Sequence, residues 1–129
     1  MKQLFNKTDR KMGKRFSTFL LDSILEQEKK EREELRLRLI EKLFKTFDML
    51  SHEIPIKEAY LFGSITKPYR FQKNSDVDIG FIGLKDEYFF KAMSVISREI
   101  GRDVDVVQLE EHRLIEKIKK DGVKWIKGN

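Results

Sequence analysis

The sequence predicts an α/β fold, a small mixed β-sheet flanked by helices with a helical extension at its N-terminal end. Three observations carry that expectation. Leu35, Leu39, Leu43 and Phe47 recur at four-residue spacing in a stretch without Pro or Gly, which makes one apolar helix stripe. Three short apolar runs, Glu58 to Phe62, Val77 to Ile82 and Asp103 to Val107, have the length and residue types of strands and are bounded by turn formers. Between the second and third runs, Phe89, Met93, Ile96 and Ile100 return at helical spacing, and Gly101 follows as a fitting helix terminator.

Taken in order, residues 1–14 have no usable periodicity. From about Arg15 to Leu50 the chain reads as helix. Its first half has an apolar stripe of Phe16, Phe19, Leu20 and Ile24. Glu26 to Glu34 is almost wholly charged and reads as a solvated helix face. The second half, with Ile40, Phe44 and Leu50 beside the leucine stripe, is expected to pack on the sheet. Pro55 ends the helix region. Pro68 is expected in the first turn of a short helix after Ser64, and Asp86 is expected to cap the helix that starts beside it. Glu110 to Lys120 reads as a helix with Leu114, Ile115 and Ile118 inward. Val123, Trp125 and Ile126 are expected to cover the core as a short final strand or tail. The domain division expected is a basic tail and helical extension over 1–50, then one domain over 51–129.

Composition narrows the function classes. With 129 residues and 40% hydrophobic content, the chain can bury a core without staples. The absence of cysteine excludes disulfides and thiolate metal sites. No apolar run is long enough to span a membrane, and Met1-Lys2-Gln3-Leu4-Phe5 is not followed by the apolar core of a signal peptide, so a cytoplasmic protein is expected. The net charge is +5, and residues 1–15 hold six Lys or Arg against one Asp, so the basic excess belongs to the tail. The favoured reading of that tail is a solvated N-terminus; contact with nucleic acid is the alternative. His52 and His112 read as surface histidines.

Chemistry concentrates between Tyr60 and Phe81. Side chains alternate along a strand, so Asp76 and Asp78 share one face while Val77 and Ile79 turn to the other. Two carboxylates that close repel each other and are best tolerated with a cation between them; hard oxygen donors suit Mg²⁺ or Mn²⁺. Gly63-Ser64, directly after the first strand, is a corner where backbone N–H groups and a hydroxyl can approach a phosphate. Lys67, Arg70 and Lys73 in the following loop can meet polyphosphate oxygens. A dicarboxylate metal site facing a phosphate cradle is equipment for phosphoryl or nucleotidyl transfer.

Gly63-Ser64, a basic loop, then Asp76-Val77-Asp78-Ile79 resembles the signature of the DNA polymerase beta nucleotidyltransferase superfamily, over roughly Ile56 to Lys127. It is most similar to the minimal nucleotidyltransferases, small proteins often paired with a HEPN-domain toxin. Eleven residues separate Ser64 from Asp76, where the small members of that family usually have about ten. The resemblance implies a palm-like core in residues 51–129 and a third metal carboxylate from a neighbouring strand. Asp105, between Val104 and Val106, fits that role better than Asp103 at the strand mouth.

It further implies two Mg²⁺ ions (or Mn²⁺) at Asp76, Asp78 and Asp105, and triphosphate binding by Gly63 and Ser64 with Lys67 or Arg70 assisting. The reaction implied is transfer of a nucleoside monophosphate, AMP from ATP, to a hydroxyl. The acceptor implied is a protein such as a HEPN toxin, which would make the chain a protein adenylyltransferase and antitoxin. A non-catalytic nucleotide-binding antitoxin, and a nucleic-acid-binding protein using the tail, are the competing readings. The N-terminal helix is the expected surface if the chain forms a homo-oligomer.

Overall fold

A computed structural model describes residues 9–128 of the chain, with side chains from Ser17 onward. The elements in order are α1 (Asp9–Ser51), β1 (Glu58–Phe62), a 3-10 turn (Gly63–Thr66), β2 (Val77–Ile82), α2 (Asp86–Ile100), β3 (Val104–Gln108), a second 3-10 turn (Leu109–Glu111), α3 (Ile115–Asp121) and β4 (Val123–Ile126). The strands form one mixed sheet in the order β3-β2-β1-β4. β1 is antiparallel to both β2 and β4, whereas β2 and β3 run parallel. A parallel pair needs a crossover, and α2 supplies it. The α/β class read from the sequence is the class observed, with a four-stranded mixed sheet and three α-helices among the described residues.

The chain divides into two compact units, residues 1–31 and residues 32–129. In the first, the part with described side chains is helical and exposed throughout, including Phe19, Leu20, Leu21, Ile24 and Leu25. The basic residues before Asp9 lie outside the described residues, as does the side chain of Phe16. α1 starts six residues earlier than Arg15 and runs through Gly13, a tolerable cost of roughly 1 kcal/mol in a long helix.

In the second unit, alternation sorts the strands cleanly. Ala59 and Leu61 of β1, Val77, Ile79 and Phe81 of β2, Val106 of β3 and Trp125 of β4 join one core with Leu39, Leu43, Phe47 and Leu50 of α1 and Ala92, Ile96 and Ile100 of α2. Phe47 sits edge-on to both Phe81 and Trp125, with ring centroids 5.6 and 5.8 Å apart. Burying a side chain such as Phe47 or Leu43 contributes roughly 1.5–3 kcal/mol. The indole Nε1–H of Trp125 donates to Asp48 Oδ1 at 2.8 Å, which fixes α1 on β4. The opposite sheet face is covered only in part. Tyr60, Leu109 and Ile118 form a second small cluster there, flanked by Phe62, Ile82, Val107 and Ile115. Gly80 lies on that face because an added Cβ would stand 2.7 Å from the Leu109 side chain.

Several local expectations are corrected. The helix expected over Glu110 to Lys120 is a 3-10 turn and a separate seven-residue α3. His112 breaks it: its Nδ1 accepts the Leu114 N–H at 3.1 Å and its carbonyl accepts that of Ile115, so the chain bends and Leu114 is exposed. Lys85 is the N-cap of α2 and Asp86 is its first helical residue; the Asp86 carboxylate accepts from Gln108 Nε2 at 2.7 Å instead of capping. Pro68 lies beyond the 3-10 turn that ends at Thr66, in a β-turn of its own. β4 is a strand, but Ile126 is exposed on it. Gly101 does close α2, at φ +70° with its N–H on the Ser97 carbonyl.

Candidate active site

The candidate residues gather where β1 ends and β2 begins, on the part of the second sheet face that the cluster of Tyr60, Leu109 and Ile118 does not cover. Register does most of the positioning. Asp78 is opposite Phe62 across the antiparallel ladder and opposite Asp105 across the parallel one. Asp78 is half-buried, Asp105 and Asp76 are exposed, and Val77 and Ile79 are fully buried, as period-two alternation requires.

Electrostatics ties the three acids together. Burial pushes the Asp78 carboxyl up from the ordinary aspartate range, and the negative charges of Asp105 and then Asp76 push it further in the same direction. Each effect disfavours the charged form. The Gly63 corner closes the other side. Gly63 has φ +76°, a left-handed conformation that suits glycine, and a Cβ there would collide with Asp78 Oδ2. One carboxylate is therefore shared by the acidic group and the Gly-Ser corner.

The corner itself is well made. Thr66 Oγ1 donates to the Gly63 carbonyl at 2.7 Å, Lys67 N–H donates to the Ser64 carbonyl at 3.1 Å, and Ile65 is fully buried as an anchor. Beyond it, Arg70 N–H donates to the Lys67 carbonyl at 3.1 Å, which closes a turn with Pro68 and Tyr69 at its centre. Tyr69 has φ +65°, so the turn has the type II pattern with a non-glycine residue where glycine is favoured. Lys67 and Arg70 are exposed at the two ends of this turn.

Two side chains that the sequence reading gave no role hold the loop. Glu33 and Arg36 form an ion pair at 2.5 Å on α1. Arg36 Nη1 donates to the Ile65 carbonyl at 2.9 Å, and Glu33 Oε2 accepts the Tyr69 N–H at 2.8 Å. This corrects the reading of Glu26 to Glu34 as a wholly solvated face. The Arg36 hydrogen bond holds the Glu33 carboxyl below its usual range, the Tyr69 N–H acts in the same direction, and burial opposes both. At the other end of the loop, Arg102 Nη2 donates to the Ser75 carbonyl at 2.7 Å and also to the Lys73 carbonyl, with its guanidinium 4.8 Å from the buried Phe71 ring. Burial pulls the Arg102 pKa down, and the nearby Asp76 charge partly restores it. No local pattern in the sequence marks these contacts, which join residues 27 to 36 positions apart.

Among the described residues, no three His, Cys, Asp or Glu side chains stand close enough to share an ion as they are placed. The donor chemistry of Asp76, Asp78 and Asp105 nonetheless fits a hard divalent cation. All three are carboxylates, and the repulsion felt by Asp78 is what a cation would relieve.

The polymerase beta nucleotidyltransferase family model matches residues 41–127, which is more than half of the chain. The crystal structure of a candidate nucleotidyltransferase from Sulfolobus solfataricus is similar to this chain, with 27% identity and a TM-score of 0.47 over 72% of this chain and 85% of that one. No curated protein matches. The matched segment holds β1, the Gly63-Ser64 corner, the Asp76-Val77-Asp78 strand entry and Asp105 together, and the chain belongs to the polymerase beta nucleotidyltransferase family.

Proposed function

We propose that the protein transfers the AMP of ATP to a hydroxyl on a partner protein, with Asp76, Asp78 and Asp105 as the acidic centre. The observation that carries this reading is the position of Asp78, against Asp105 on one side and the Gly63 corner on the other. In the transfer, the acceptor oxygen bonds to the α-phosphorus as its hydroxyl proton passes to solvent, the bond from that phosphorus to the bridging oxygen of the β-phosphate breaks, and pyrophosphate leaves. Gly63 and Ser64 bind the β- and γ-phosphates through backbone N–H groups and the Ser64 hydroxyl, while Lys67 and Arg70 offset their negative charge. Two Mg²⁺ or Mn²⁺ ions at the three aspartates would supply a lowered pKa for the acceptor hydroxyl and charge stabilisation for the leaving group. The contribution of the protein itself is orientation and fixed charge.

The likeness to minimal nucleotidyltransferases supports a HEPN ribonuclease toxin as the acceptor and an antitoxin role. The test is incubation with α-labelled ATP, Mg²⁺ and a co-expressed HEPN protein, beside an Asp76→Ala, Asp78→Ala double variant. Label on the HEPN protein that disappears in the variant and on chelation of the metal is the expected result. Absence of label on any protein with the wild-type chain, under conditions where ATP binds, would overturn the transferase reading.

A further inference from the structure

α1 reaches over the loop between the Gly-Ser corner and Asp76 through one pair of side chains, and the pair meets the loop at two backbone points. Arg36 is buried, and each of its three guanidinium nitrogens donates a hydrogen bond. Nε donates to both Glu33 oxygens at 2.8 and 3.1 Å, Nη2 donates to Glu33 Oε1, and Nη1 donates to the Ile65 carbonyl. The second Glu33 oxygen accepts the Tyr69 N–H.

These two points bracket the basic turn. Ile65 belongs to the corner that follows Gly63. Tyr69 is the left-handed residue of the turn that carries Lys67 and Arg70, and the N–H at that position of a β-turn has no acceptor within the turn. A side chain in the left-handed region is disfavoured, and the Glu33 carboxylate gives this exposed N–H a charge-assisted acceptor at 2.8 Å. Without the Glu33 acceptor, the turn would lose one of the contacts that hold Tyr69 in this conformation, and the backbone that carries Lys67 and Arg70 would be set less firmly relative to Gly63.

We infer that Glu33 and Arg36 are positioning residues for polyphosphate: they hold the Gly63–Arg70 segment in its phosphate-binding shape without touching the phosphate. The inference rests on the proposed nucleotide site. It assigns a role to an ion pair in which the positive charge of Arg36 is already neutralised by Glu33, so its effect on a phosphate acts through the backbone.

The test compares wild type, Glu33→Ala and Glu33→Gln in the full-length protein. Calorimetry reads the Kd for ATP with Mg²⁺, hydrogen exchange reads the Tyr69 and Arg70 amides, and urea unfolding reads global stability. Glu33→Ala is expected to weaken ATP binding by about ten- to a hundredfold, the range seen when a supporting contact to a binding group is lost. It is also expected to speed exchange at Tyr69. Glu33→Gln keeps one acceptor oxygen, which can serve the Tyr69 N–H and Arg36 Nε while its NH2 faces Arg36 Nη2, and is expected to recover part of the affinity. A purely structural ion pair would shift the urea midpoint and leave Kd unchanged.

Wild-type affinity in Glu33→Ala, or faster exchange at Tyr69 with unchanged Kd, overturns the inference while the nucleotide site stands. Failure of the wild-type protein to bind ATP overturns the nucleotide site and the inference together, and is distinguished by being already present before any substitution.

Discussion

The contact between Gly63 and Asp78 can be measured against an internal control. Gly63 and Gly101 share a left-handed φ, +76° and +70°, but a Cβ at Gly63 meets the Asp78 carboxylate, whereas a Cβ at Gly101 meets nothing within 4 Å. Gly101→Ala therefore isolates the strain of a left-handed alanine, roughly 1–2 kcal/mol, less about 0.5–1 kcal/mol gained by restricting the unfolded chain. The expected net loss is about 1 kcal/mol. Gly63→Ala carries the same strain and adds the displacement of Asp78, an overpacking cost of about 1–3 kcal/mol. Its expected total is about 2–4 kcal/mol, read as the difference in urea unfolding free energies.

The two variants should also separate in function. Displacing Asp78 moves a group on which the proposed transfer depends, and a misplacement near 1 Å is enough for about a hundredfold loss of rate. Adding Asp78→Ala to Gly63→Ala removes the obstacle and should return the cost of the glycine substitution to the Gly101→Ala level, a coupling of at least about 1 kcal/mol. Equal stability losses in Gly63→Ala and Gly101→Ala, with no coupling to Asp78, would refute the close approach and the shared-carboxylate argument with it.

Other outcomes follow from the same geometry. Asp78→Asn removes a half-buried charge facing two others, so it should abolish nucleotidyl transfer yet raise stability by up to about 1 kcal/mol after solvent screening; a destabilised, inactive variant would count against the repulsion. Gly80→Ala should cost about 1–3 kcal/mol by pushing into Leu109, and Leu109→Ala alone about 2–5 kcal/mol. The double variant should cost clearly less than their sum in urea unfolding, and strict additivity would show that the two residues do not touch. Glu33 has a lowered carboxyl pKa in the folded protein, so its stabilising contribution is complete above the unfolded value of about 4.3 and is lost as pH falls through the lower folded value. Exchange at the Tyr69 amide, corrected for the intrinsic pH dependence, should rise over that acidic window in wild type and stay flat in Glu33→Ala.

Much of this was legible in one dimension because two periodicities did the sorting. Alternation alone separates Asp76 and Asp78 from Val77 and Ile79, and the four-residue repeat from Leu35 to Phe47 marks the helix face that meets Phe81 and Trp125. The parts that did not follow from pattern are long-range or polar. Glu33 and Arg36 look like any i,i+3 pair in a charged helix; only the arrival of Ile65 and Tyr69 distinguishes them. Arg102 reads as a residue after a helix stop, and its carbonyl partners belong to a loop 27 to 30 positions earlier. Leu114 reads as core by spacing, but a histidine ring nitrogen that accepts a backbone N–H ends the helix pattern locally. Tyr69 violates the rule that turn geometry chooses glycine, and a sequence rule could not anticipate a left-handed tyrosine.

The parallel pairing of Asp78 with Asp105 has a consequence for which lengths in the chain are free to vary. Because side chains flip with every residue, the meeting of those two acids depends on the count of residues that carries the chain from β2 through α2 into β3. An insertion or deletion of one residue at the head of β3 would turn Asp105 toward the helices and bring a valine to the cleft. The span from Ser64 to Asp76 is under no such metering: its ends are pinned by Arg36 and Arg102, and a residue gained or lost between them changes the reach of a bulge, not which way an acid points. The crossover is the ruler of this site, and the basic loop is its adjustable part.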